Sequence, residues 1–173
     1  MTTQTITAGL ATGTWQLDPA RSSAEFHVPN VWGLATVKGR FDRCRGMLDL
    51  SGRPAVELVI DAASVGTGNA RRDKHLRTDD FLGAADHPQI RFEADATDLA
   101  GGTLRVHGLL YAAGRHVPVA VDIAVTPDGD AFAIEAETHV DQRELGMTWS
   151  PLGVIRAPTR LVLRGRLVRA EAA

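Results

Sequence analysis

Apolar and polar residues alternate along nearly the whole chain, and a period of two constrains the fold more than any other feature of this sequence. In Ser23-Ala24-Glu25-Phe26-His27-Val28, the apolar members Ala24, Phe26 and Val28 share one face while Ser23, Glu25 and His27 share the other. A half-buried strand has this pattern because successive side chains point to opposite sides of the backbone. The alternation returns at Val37, Gly39 and Phe41, at Leu48 and Leu50, at Val56, Leu58 and Ile60, and at Ile90, Phe92 and Ala94. It continues through Leu104 and Val106, Val117 to Val125, Phe132 to Val140, and Leu161, Leu163 and Leu167.

Turn-forming pairs punctuate these runs: Pro29-Asn30, Ser51-Gly52, Gly101-Gly102, Ala113-Gly114 and Pro127-Asp128-Gly129. Short strands joined by tight turns predict an antiparallel all-β fold. With one face apolar and the other charged, a single sheet closing on itself fits better than a parallel sheet buried on both sides. About eight strands close around a space that holds side chains or one ligand. The expectation is an antiparallel β-barrel with a short helical lid, occupying residues 14–170 behind a flexible N-terminus of residues 1–13.

Only the stretch between Asp61 and Gln89 breaks the pattern. It is too polar and too long for a hairpin, and Asn69-Ala70-Arg71-Arg72-Asp73-Lys74-His75-Leu76 can form one or two helical turns. Long ordered insertions in compact domains usually serve a function or cover something. We expect a lid over one end of the barrel.

Strand parity nominates the interior. Phe26, Val28, Val37, Phe41, Leu58, Phe92, Val106 and Phe132, together with Phe81 of the lid, are the expected cavity residues. A one-residue slip would turn a whole strand inside out, so each assignment stands or falls with its strand. Asn69, Arg71, Arg72, Lys74, Leu76 and Arg77 form the candidate headgroup and lid segment. Two readings of its cations compete: a clamp for an anion such as a diphosphate, or ion pairs and caps that hold a loop on the rim.

Other chemistries find little support. In Gly66-Thr67-Gly68-Asn69-Ala70-Arg71 the third glycine of a dinucleotide fingerprint is replaced by Arg71, and no βαβ crossover follows. The six histidines are scattered singly, so no metal or other cofactor is expected, although His27, His107 and His139 fall on outward faces of different strands. Cys44 lies between Arg43 and Arg45, where a lowered thiol pKa competes with an ordinary strand-end cysteine; alone, it forms no internal disulfide. With 19 basic against 21 acidic side chains, the formal net charge of −2 gives no global attraction to nucleic acid. No run approaches the roughly 18 apolar residues of a membrane-spanning helix. The N-terminal stretch lacks the charged and apolar regions of a secretory signal, so a cytoplasmic location is expected.

The run from Asn69 to Phe92, with Arg72-Asp73, His75-Leu76, Asp80-Phe81 and Pro88-Gln89-Ile90-Arg91-Phe92, resembles YceI-like proteins. So do the stretch from Trp15 to Phe41 and Val140-Asp141-Gln142-Arg143-Glu144-Leu145-Gly146-Met147, and the resemblance covers nearly the whole chain from Trp15 to Val168. The chain departs from the family pattern at Arg21 and Asn30, where the family has histidine. The resemblance implies a lipocalin-like barrel, often a homodimer, that binds a long-chain isoprenoid, a polyprenyl diphosphate, a quinone or a related lipid. The implied function is binding or carriage without catalysis. The alternative is an enzyme that folds a hydrophobic substrate for cyclisation or isomerisation, using an acid or base such as Asp73, Asp141 or Glu144.

Overall fold

The structure, a computed structural model, describes residues 10–29, 35–150 and 153–171. In chain order the strands are β1 (Thr14–Leu17), β2 (Ser23–Pro29), β3 (Thr36–Phe41), β4 (Cys44–Asp49), β5 (Ala55–Asp61) and β6 (Val65–Gly66). After helix α1 (Ala70–Leu76) come β7 (Gln89–Ala100), β8 (Thr103–Ala112), β9 (Arg115–Asp128), β10 (Ala131–Val140) and β11 (Thr159–Arg169). All pairings are antiparallel. The sheet runs β1-β4-β5-β7-β8-β9-β10-β11 and closes through a β1–β11 pairing into the eight-stranded barrel that the alternation predicts.

Two of the eight staves are broken strands. β1 and β2 form one of them, interrupted by a 3-10 turn at Pro19–Arg21 that the Asp18 side chain caps. β3 and β4 form the other, bent at Asp42 and Arg43. Consequently β11 pairs with β2 through Arg160–Arg164 and with β1 through Leu167–Arg169. The β2–β3 half makes the wall at one end, and the β1–β4 half makes the floor at the other. Beyond β2 and β3 the sheet extends only to the two-residue β6.

The predicted parity holds in the nine strands for which the alternation gives one, all but β1 and β6. Phe26, Phe41, Leu48, Ile60, Phe92, Val106, Val119, Ile134 and Leu167 all belong to one continuous buried cluster. Two valines of the opposite parity, Val59 and Val162, are buried too. Val162 lies between Arg160, paired with Glu137, and Arg164, paired with Glu25 and Glu135, along β11.

Residues 10–13, within the expected flexible N-terminus, pack against the barrel. Leu10 is buried in the core, Trp15 Nε1 donates to the Ala11 carbonyl at 3.1 Å, and the Gly13 carbonyl accepts from the Leu50 amide at 2.8 Å. This short segment reads as polar and irregular in sequence, yet one leucine and its backbone bonds fasten it to the floor. Residues 1–9 of the expected flexible N-terminus, and Asn30 of the expected first turn, lie outside the described residues.

Candidate ligand cavity

The open half of the barrel contains a cavity of about 320 Å³. Its wall is formed by β2 (Ala24, Phe26, Val28), β5 (Val56, Leu58, Ile60), β9 (Val119, Val121, Ile123) and β11 (Leu161, Leu163), with contributions from the intervening strands. Seven of the nine residues expected on sequence grounds line it: Phe26, Val28, Val37, Phe41, Leu58, Phe81 and Phe92. Val106 and Phe132 do not. Both point inward as parity requires, but they pack in the floor, where the Phe132 ring meets Trp15 edge-on at 5.1 Å and Val106 is fully buried. Parity gives the side of the sheet and says nothing about height along the barrel axis, and that second coordinate separates these two from the cavity.

The segment between β5 and β7 covers the cavity as a lid. Asn69 caps α1 by accepting from the Arg72 amide, and the helix turns Leu76 toward the cavity, with Phe81 and Leu82 following. The expected cation cluster does not converge on the cavity. Arg77 donates to the carbonyls of Ala63 and Val65 at 2.9 and 3.1 Å, fastening the lid to the barrel. Arg72 reaches the cavity wall, but its guanidinium donates to the hydroxyl and carbonyl of Thr67. Arg71 and Lys74 are exposed and lie off the cavity wall, and Asn69 is absent from it as well. A helix of seven residues spreads these side chains around its circumference, so closeness in sequence does not bring them together in space.

Three aromatic rings meet where the lid abuts the loop after β10. His75 stands edge-on to Trp149 at 4.4 Å and to Phe81 at 5.2 Å, and its Nε2 lies 2.8 Å from an Asp80 carboxylate oxygen. Leu145, Met147 and Ile155 of that loop also reach the cavity. Sequence reasoning missed this loop because it lacks strand alternation; its signal is a set of large apolar residues in a segment that otherwise reads as a connection.

The carboxylates considered as catalytic groups lie off the cavity wall. Asp73 accepts from the Thr67 amide and hydroxyl. Asp141 forms a two-pronged pair with Arg143, whose guanidinium holds its carboxyl below the ordinary aspartate range. Glu144 is exposed on the turn beyond. Burial pushes the Cys44 thiol up rather than down, which removes the reactive-thiolate alternative despite the flanking arginines. A shallow groove on the outer face, beside Met47, Glu57, Glu93, Asp95 and His107, is walled by carboxylates and offers an apolar chain no enclosure. No described helix is long and apolar enough to cross a membrane.

Comparison with known proteins agrees with this architecture. The model of the YceI-like domain matches residues 15–166. A UPF0312 protein of Shewanella denitrificans is 33% identical over 115 residues, covering 64% of this chain and 60% of that protein, so the match spans less than two thirds of the relative's length. Among solved structures, BcnA of Burkholderia cenocepacia has a TM-score of 0.78 at 15% identity, over 87% of this chain and 98% of that one. A polyisoprenoid binding domain from Saccharophagus degradans, implicated in plant cell wall breakdown, has a TM-score of 0.75 at 18% identity, over 90% and 98%. At such identities the two structures establish likeness of fold.

Proposed function

The chain belongs to the YceI-like domain family, and from that premise we propose that its barrel binds a long-chain isoprenoid or a related lipid, with the apolar tail inside the cavity. The observation that carries this reading is the cavity itself: walled by the barrel strands, roofed by a lid, and lined almost entirely by aliphatic and aromatic side chains. Each methylene withdrawn from water contributes about 0.8 kcal/mol, so a prenyl tail supplies ample driving force even after its ordering is subtracted. The polyisoprenoid-binding Saccharophagus domain of like fold lends support. The homodimer implied by the family resemblance is part of the same proposal, and sedimentation would test it.

Mass spectrometry of organic extracts from the purified protein is the direct test. We expect a co-purifying long-chain lipid, and expect delipidated protein to take up a fifteen-carbon prenyl chain. Absence of both would refute the proposal. The enzymatic alternative is not favoured by any specific observation, since its candidate carboxylates lie off the wall and Asp73 and Asp141 are engaged with protein groups.

A further inference from the structure

The cavity wall carries two buried polar side chains among the described residues, Gln142 and Thr159. Gln142 lies in the turn that follows β10, and Thr159 opens β11, opposite Val140. They therefore sit at the mouth end, away from the floor. Gln142 Nε2 donates to the Arg156 carbonyl at 3.0 Å, and the Thr159 hydroxyl donates to Gln142 Oε1 at 3.0 Å. A carbonyl only accepts, so the Arg156 contact fixes which end of the amide is nitrogen, and this in turn makes Thr159 the donor to Oε1.

These bonds leave capacity unused. The amide nitrogen has a second N–H, Oε1 has a second lone pair, and the Thr159 oxygen can accept. Three other polar side chains on the wall and lid already have protein partners: Arg72 donates to Thr67, His75 pairs with Asp80, and the Thr138 hydroxyl donates to the Ala120 carbonyl. A ligand head beside Gln142 and Thr159 would meet a donor and acceptors together. A diphosphate, rich in acceptors and charged, would face the Oε1 lone pair without a converging set of cations, and burying a charge so poorly paired is costly.

Resting on the lipid-binding reading above, we infer that Gln142 and Thr159 form the headgroup subsite, and that it selects an uncharged head that both donates and accepts hydrogen bonds, a hydroxyl or carboxamide, over a diphosphate.

The test compares three fifteen-carbon probes: farnesol, farnesene, which lacks a polar head, and farnesyl diphosphate. Their affinities are measured for the parent protein and for Gln142→Leu, Thr159→Val and Thr159→Ser, with melting temperatures recorded alongside. We expect the parent to prefer farnesol to both other probes. Gln142→Leu and Thr159→Val should each weaken farnesol on the order of tenfold, the worth of a hydrogen bond lost from a buried site. Farnesene should be unaffected, and Thr159→Ser should retain farnesol affinity. Should Gln142→Leu fail to fold, the near-isosteric Thr159→Val and its serine control carry the test. Tighter binding of the diphosphate by the parent, or farnesol affinity indifferent to both substitutions, would overturn the subsite while leaving the barrel a lipid binder. Failure of the parent to bind either farnesene or farnesol would overturn the lipid-binding reading itself.

Discussion

The ring of Phe26 occupies the space that a side chain on Gly39, its cross-strand partner, would need. A Cβ built at Gly39 would lie 2.2, 2.5 and 2.9 Å from three carbons of that ring, so this glycine is what permits Phe26 to pack over β3 and meet Phe41 at 5.6 Å between ring centres. Gly39→Ala should lift the ring into the cavity, costing about 1–3 kcal/mol of stability as overpacking does, and should reduce tail affinity. Combining it with Phe26→Leu should recover part of both losses, because the two sites share one volume. Additive effects in that double variant would show that the ring and the glycine are independent.

Arg77 is expected to act as a fastener. Arg77→Ala leaves the Ala63 and Val65 carbonyls without their donor, which should cost roughly 1–3 kcal/mol and weaken farnesol and farnesyl diphosphate by the same factor. The exposed Arg71 and Lys74, replaced by Gln, should change stability by no more than about 0.5 kcal/mol. A loss confined to the diphosphate in any of these variants would restore the cationic clamp.

Floor and cavity should separate in mutants. Phe132→Ala removes the partner of Trp15 and should cost about 3–5 kcal/mol, yet the protein that remains folded should bind a prenyl chain with the parent's affinity. Leu58→Ala should instead alter affinity, since Leu58 lines the cavity. Equal effects of the two variants on binding would mean that the cavity reaches the floor.

Asp61 ties the root of the lid to the barrel. It accepts from the Arg43 guanidinium at 2.8 Å and from the Ala63 amide at 2.9 Å, and the arginine contact holds its carboxyl below the ordinary aspartate range. A depressed pKa contributes stability that is fully present above the unfolded value of about 3.9 and is lost as pH falls through the lower folded value. Asp61→Asn should therefore lower the melting temperature at pH 7 by the equivalent of about 0.5–1 kcal/mol, a modest effect because the pair is partly solvated. The difference should shrink steadily on acidification below pH 4 in thermal scans. A difference that widens in acid would contradict the linkage.

Trp149 should report occupancy. It packs on His75 and Phe81 at the cavity rim, whereas Trp15 is buried in the floor. In a Trp32→Phe background, a brominated prenyl or acyl chain should quench the fluorescence component that disappears in Trp149→Phe, and leave the Trp15 component intact. Quenching that survives in Trp149→Phe undiminished would place the chain elsewhere.

The barrel was legible because alternation is a local property: Phe26, Leu58 and Phe92 declare their face through their immediate neighbours. The lid was legible as the place where alternation stops, and α1 lies where its residues suggested. What remained hidden depends on register and height. Nothing near Val106 or Phe132 in sequence says that they meet Trp15, and nothing around Gln142 says that its amide meets Thr159, seventeen residues away, inside the wall. The arginines misled in another way, since four cations within seven residues suggest a shared target. A helix disperses them, and backbone carbonyls such as those of Ala63 and Val65 compete for them.

The broken staves give the two ends of the barrel different mechanical standing. At the floor, β1 is held on one side by β4 and on the other by β11, so the ring of hydrogen bonds is complete. At the mouth, β3 is paired to β2 along its length, while on its other edge β6 reaches only Arg40 and Phe41. Among the described residues, the stretch Thr36–Gly39 thus stands as a free selvedge, with no strand on that side. A fabric woven tight at one hem and left unsewn at the other yields at the second. Amides of β3 should exchange with solvent well before those of β1, and the mouth should open locally before the base does.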